Sequence, residues 1–176
     1  MTPFIWNRPE LKVPATTTDH ILELVTSFFL ILMWVFGILL YIKITNRVPT
    51  HFDLLGNPNA LGNKNSFLVT VFVGTLAILL CAFSAYFPKM VNLPIRLKPK
   101  CINDQYALMA RMMRILNIDL SIMFLSIILI QGASLLNWNS RIFVIIESTC
   151  IFFIFILIVY YTSRIWSIGR KYKYFK

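Results

Sequence analysis

The sequence is short of acids, cysteine and histidine. Asp and Glu number 7 against 17 Lys and Arg in 176 residues, a formal net charge of +10. Three cysteines, Cys81, Cys101 and Cys150, stand far apart with no C-x-x-C. That spacing excludes a disulfide framework and leaves them as small apolar packing residues. Only two histidines occur, His20 and His51. There is no H-E-x-x-H, no G-x-S-x-G, no phosphate-cradling glycine loop and no obvious carboxylate pair, so the common signatures of hydrolases and nucleotide-binding enzymes are missing. The expectation is a non-enzyme with no cofactor. Charged residues make up 14%, where a soluble domain carries roughly 25%.

What is present is hydrophobicity: 58% of residues, with a mean hydropathy of +0.72. Four apolar runs, about 21–42, 67–87, 115–136 and 142–161, each approach the roughly 20 residues that carry a helix across a bilayer. They predict an all-α membrane protein, a bundle of four transmembrane helices forming one domain over 21–161. An irregular segment, 1–20, precedes it, and a basic, aromatic tail, 162–176, follows. The first run comes after a mixed segment and lacks a small-x-small site, so an uncleaved helix is expected rather than a signal peptide.

In the first run Glu23, Ser27, Leu30, Trp34, Gly37 and Tyr41 recur at spacings of four and three. That face is assigned to the bundle interior. In the second, Thr70, Gly74, Ala77, Cys81 and Ser84 form a small-residue seam that lets helices approach in lipid. Pro88 ends this run. A basic connector follows, with Lys89, Arg96, Lys98, Lys100, Arg111 and Arg114 against Asp104 alone. From Asp104 to Arg114 it reads as amphipathic: Tyr106, Met109, Met113 and Leu116 share a face, and Arg111 and Arg114 point elsewhere. It is expected to lie along the membrane surface or to run straight into the third span.

Arg8, Lys12, the connector cations and Arg164, Arg170, Lys171, Lys173 and Lys176 fall on one side of a four-span chain. Only Lys43, Arg47, Lys64 and Arg141 fall on the other. The positive-inside rule then puts both termini in the cytoplasm and the loop between the first two spans outside. The tail interleaves its cations with Trp166, Tyr172, Tyr174 and Phe175, which suits interfacial anchoring better than nucleic acid.

The candidate intramembrane polar residues are Glu23, Asp119, Gln131 and Glu147. Such groups usually face the bundle and find a partner. Arg111, Arg114 or a first-helix residue is the expected partner of Asp119; Lys64, Arg141 or His51 is that of Glu147. Glu23 and Asp119 are placed near the inner face and Glu147 near the outer, too far apart for one carboxylate dyad.

The longest polar island, Arg47 to Lys64, separates the first two runs. Gly56-Asn57-Pro58-Asn59 is a good turn sequence, and Asp53 or Asn57 can bond nearby amides. A metal site needs three or four ligands. His51, Asp53 and Glu147 are the only candidates, so no metal is expected. His51 is either bonded inside a folded loop or part of a binding epitope.

Pro49, His51, Phe52, Gly56, Pro58, Asn59, Gly62 and Lys64 carry a resemblance to a bacterial membrane family, the domain of unknown function 1648, with Leu61 where that family has an aromatic residue. A second block resembles the same family through Phe87, Pro88, Asn92 to Arg96, Gln105, Tyr106, Leu108 and Arg111 to Arg114. Lys98, Pro99, Lys100 and Cys101 replace its acids. The domain is similar to the N-terminal part of immunity proteins that protect bacteria from a secreted killing peptide and, in some cases, signal its presence. The resemblance implies a small multi-pass protein of the bacterial inner membrane. Two functions are then open. One is toxin immunity or signal sensing, in which the loop meets an external peptide. The basic surface of Arg96, Arg111, Arg114, Arg170 and Lys171 would meet lipid headgroups or a cytoplasmic regulator. The other is a transporter or transporter accessory using Asp119, Gln131 and Glu147.

Overall fold

A computed structural model describes residues 8–44, 47–53, 57–136 and 138–171. Four helices dominate: α1 (Thr17–Lys43), α2 (Ser66–Tyr86), α3 (Ile102–Leu136) and α4 (Ser140–Lys171). All four are long and apolar enough to cross a membrane. Between α1 and α2 lies an antiparallel hairpin, β1 (Val48–Phe52) and β2 (Pro58–Gly62). Single-turn 3-10 segments occupy Pro88–Met90 and Pro99–Cys101.

Thr16 starts α1 with a capping box. Its hydroxyl accepts from the Asp19 amide at 3.3 Å, and the Asp19 carboxylate accepts from the Thr16 amide at 2.8 Å. Two otherwise orphaned donors are satisfied. Pro99 leads into α3 from its 3-10 turn, where a missing amide costs nothing. α3 then runs unbroken for 35 residues. At 1.5 Å per residue that is about 52 Å, well beyond a hydrocarbon core of about 30 Å. The amphipathic segment is therefore the first part of the third helix itself. α4 likewise continues past Tyr161 to Lys171. Nothing in Thr162–Lys171 breaks a helix, and Ile165 is fully buried against Tyr106 and Met109. Residues 172–176 of the expected tail lie outside the described residues.

α3 is the hub. It packs along α1, α2 and α4, while α4 has α3 as its one extensive helical neighbour. Two cores result. Met33, Leu40, Val71, Ile78 and Ile128 join α1, α2 and α3, and Val48 of β1 closes that core at the hairpin end. Tyr106, Met109, Met112, Leu157, Tyr161 and Ile165 join α3 to α4 at the end carrying the termini. The 91–98 strap lies across the second core. Its residues alternate, with Val91, Leu93, Ile95 and Leu97 packed in and Asn92, Pro94, Arg96 and Lys98 exposed.

The interior stripe of α1 is Asp19, Thr26, Met33, Gly37 and Leu40, displaced by about a residue from the expected face. Ser27 is exposed, and its hydroxyl donates to the Glu23 carbonyl at 2.9 Å. On α2 the buried line is Phe67, Val71, Gly74, Ile78, Cys81 and Ala85. Gly74 and Cys81 of the expected seam lie on it. Thr70 and Ser84 flank it and return their hydroxyls to the Ser66 and Leu80 carbonyls. Gly74 is needed for contact: a Cβ there would sit 2.8 Å from the Phe124 ring and 3.0 Å from the Met33 sulfur. Trp34 Nε1 donates to Thr75 Oγ1 at 3.1 Å and ties α1 to α2.

Candidate functional site

The hairpin is built from the inside out. Val48 and Pro49 are buried, and β1 rests on α3. Proline is tolerated at both Pro49 and Pro58 because a two-stranded ribbon has only edge strands. Val48 pairs with Gly62, Pro49 with Leu61, His51 with Ala60 and Phe52 with Pro58. The register shifts on both sides of His51, leaving Thr50 on β1 and Asn59 on β2 as extra residues, irregularities that re-aim the strands. Gly62 permits this: a Cβ there would lie 2.5 Å from Thr50 Cγ2. The turn lies earlier than expected, since Pro58 and Asn59 belong to β2. Asp53 and Asn57 close it instead. The Asp53 amide donates to the Asn57 carbonyl at 2.9 Å, and the Asp53 carboxylate accepts from the Asn57 amide at 2.8 Å and side chain at 3.0 Å. Asx side chains favour such turns. Gly56 lies outside the described residues.

His51 Nδ1 is 2.5 Å from Asn59 Oδ1 across the strands. A carboxamide oxygen only accepts, so in this contact the imidazole Nδ1 is the donor. The pair is exposed, as are Thr50, Ala60 and Leu61. Lys64 lies 4.4 Å over the Tyr41 ring and pins the start of α2 to the end of α1. The motif residues therefore divide: Pro49 anchors, Gly62 admits the bulge, Lys64 clamps, and His51 with Asn59 forms the outward face.

A second cluster occupies the termini end. Arg111 donates to Asp19 at 2.5 Å and to the Thr16 hydroxyl at 2.9 Å. Arg114 donates to Glu23 at 2.8 Å, and Tyr86 donates to the same carboxylate oxygen at 2.9 Å. Arg114 also lies 3.8 Å from Asp19 and 5.3 Å from the Tyr86 ring centre. His20 approaches Glu23 at 3.5 Å. Two arginines of α3 thus lock α1, with α2 attached through Tyr86. This corrects two expectations. Arg114 is only 4% exposed and belongs to no basic surface; Arg111 is half-buried and engaged. Nor do they serve Asp119, because acids on α1 lie nearer. From sequence, Thr16 and Asp19 read only as possible N-caps of the first helix, and nothing pointed to Tyr86 as a partner. The available signal was an acid in the first turn of the first helix and arginines on the same side of the charge count.

The third cluster is in the α3–α4 seam. Asp119 of α3 and Cys150 of α4 are both buried and lie near one another across this seam, with Glu147 one turn from Cys150 on α4. Asp119 Oδ2 is buried with no hydrogen-bond partner among the described residues. Glu147 therefore stands nearer to the level of Asp119 than expected, and Cys150 is a buried free thiol. His51, one of the expected partners of Glu147, is bonded to Asn59 instead. Gln131 is buried 12 residues beyond Asp119 on α3, about 18 Å nearer the hairpin end. Among the basic candidates, Arg96, Arg170 and Lys171 are exposed.

Four apolar helices joined by a hairpin and a basic strap define a multi-pass integral membrane protein. Residues 28–76, from mid-α1 through the hairpin into α2, match the model of a family described as Domain of unknown function (DUF1648), so the resemblance seen in the loop motif holds over that stretch. An uncharacterized protein of Archaeoglobus fulgidus is 30% identical over 89 residues, covering 46% of this chain and 49% of that protein. The chain thus spans about half the length of this relative. No solved structure matches. The second sequence block, Phe87 to Arg114, lies outside the family match.

Proposed function

We propose a non-enzymatic bacterial membrane protein of peptide immunity or sensing, with the hairpin as its extracytoplasmic recognition element. One observation carries this reading: the hairpin is pre-formed and anchored through Val48 and Pro49, while His51, Asn59, Ala60 and Leu61 are presented outward. A two-stranded ribbon leaves edge amides and carbonyls unpaired, the arrangement that accepts an extended peptide as an added strand. Pre-organisation lowers the ordering cost of such binding. The arginine lock at the other end of α1 and α3 suits transmission, since hairpin and lock are joined by the same two helices. The charge count supports placing the hairpin outside and both termini in the cytoplasm.

The test is growth of a deletion strain challenged with conditioned medium from its peptide-secreting parent culture. The strain should be sensitive, wild-type protein should restore growth, and His51→Ala should restore it poorly while inserting normally. Equal growth of deletion and parent strains sinks the proposal. A second reading, transport, is favoured by the polar groups Asp119, Gln131 and Glu147 within the membrane-crossing helices. It requires ion-dependent uptake into liposomes that Glu147→Gln abolishes.

A further inference from the structure

We propose that the cleft between the 91–98 strap and the end of α4 binds a single anionic phospholipid. Two cavities meet there and share Pro94, Ile95 and Trp166. One, of about 500 Å³, continues along Ile158 and Val159 on the apolar part of α4. The other, of about 310 Å³, opens onto Arg96, Lys98 and Arg170. Val159, Thr162, Trp166 and Arg170 follow one another at helical spacing, so a single face of α4 leads from apolar surface to cationic mouth. Trp166 stands between the halves, and the Arg170 guanidinium is stacked 3.6 Å from its ring centre. An amphipathic aromatic at that point marks the level of lipid headgroups.

The two halves demand different chemistry from one occupant. Three cations ask for a phosphate without a compensating positive group. The connected apolar track asks for acyl chain. A soluble anion leaves the track bare, and a zwitterionic headgroup brings its own cation against Arg96, Lys98 and Arg170. An anionic phospholipid satisfies both, and basic pockets at the ends of membrane helices take such headgroups. The strap explains why the site forms: Leu93, Ile95 and Leu97 hold it on the α3–α4 core, which leaves alternate residues Arg96 and Lys98 facing the cleft.

The experiment is native mass spectrometry of the full chain in non-ionic detergent. Dioleoyl phosphatidylglycerol and dioleoyl phosphatidylcholine are offered at equal concentration, with glycerol 3-phosphate as the headgroup alone. One phosphatidylglycerol should be retained per chain, well above phosphatidylcholine, and glycerol 3-phosphate should not displace it. Arg96→Gln with Arg170→Gln should lower retention on the order of tenfold, since both cations sit at the headgroup level. Val159→Trp, which fills the apolar half, should lower it independently and covers the case in which the double variant misfolds. Equal retention of the two lipids, displacement by glycerol 3-phosphate, or undiminished retention in the folded variants overturns the proposal.

Discussion

Arg114 shows most clearly how single residues hold this molecule. An arginine that is 4% exposed inside a membrane protein is tolerated only if its charge and donors are answered. Glu23, Asp19 and the Tyr86 ring answer it from two other helices. Removing it leaves Glu23 half-buried with its strongest partner gone. Arg114→Ala should lower stability by about 2 kcal/mol, the scale of a lost hydrogen bond to a charged group. Adding Glu23→Gln should cost less than the sum of the two changes, because neighbours in one network are not additive. Thermal unfolding in detergent of the four proteins checks this; strict additivity would deny the lock. The lock was not legible in the sequence. Its members are separated by about ninety positions, and an amphipathic reading of residues 104–114 turned Arg114 away from the bundle. Periodicity reports which residues share a face. It does not report what waits opposite.

At the scale of elements, the apolar runs were readable because a bilayer demands length and hydrophobicity that soluble helices rarely show together. The hairpin was readable only as a folded polar island. Val48–Phe52 contains a proline and a bulge, and its strand conformation depends on docking Val48 and Pro49 against α3. Local pattern could not supply that contact. Depth along α3 was misjudged for a related reason. The amphipathic segment runs straight into the third span, one of the two readings expected, and the packing of the long helix against α4, which periodicity does not give, sets Asp119 near Cys150. Helix packing gives a graded prediction. Gly74 is closed in by Phe124 and Met33, an aromatic ring and a second side chain on opposite elements. At Gly132 the three nearest atoms all belong to Leu40, from 2.6 Å at the flexible end of that side chain. Gly74→Ala should therefore cost more than Gly132→Ala, and Gly74→Val about 1–3 kcal/mol as overpacking. Unfolding midpoints in one detergent rank the three, and a reversed order of the two alanine variants would contradict the packing described.

For the whole molecule, α3 joins two cores and two ends. The hairpin rests on one end of it; the arginine lock, the strap and the basic cleft gather at the other. Recognition outside and lipid or regulator contact inside are coherent only if these ends face opposite sides of the membrane, with the hairpin outward. Cysteine labelling tests this directly. In a background with Cys81, Cys101 and Cys150 replaced by alanine, Asn57→Cys and Lys171→Cys are exposed, in turn, to a membrane-impermeant maleimide on intact cells. Asn57→Cys should be labelled at once, and Lys171→Cys only after permeabilisation. Labelling of Lys171→Cys alone in intact cells would contradict the account.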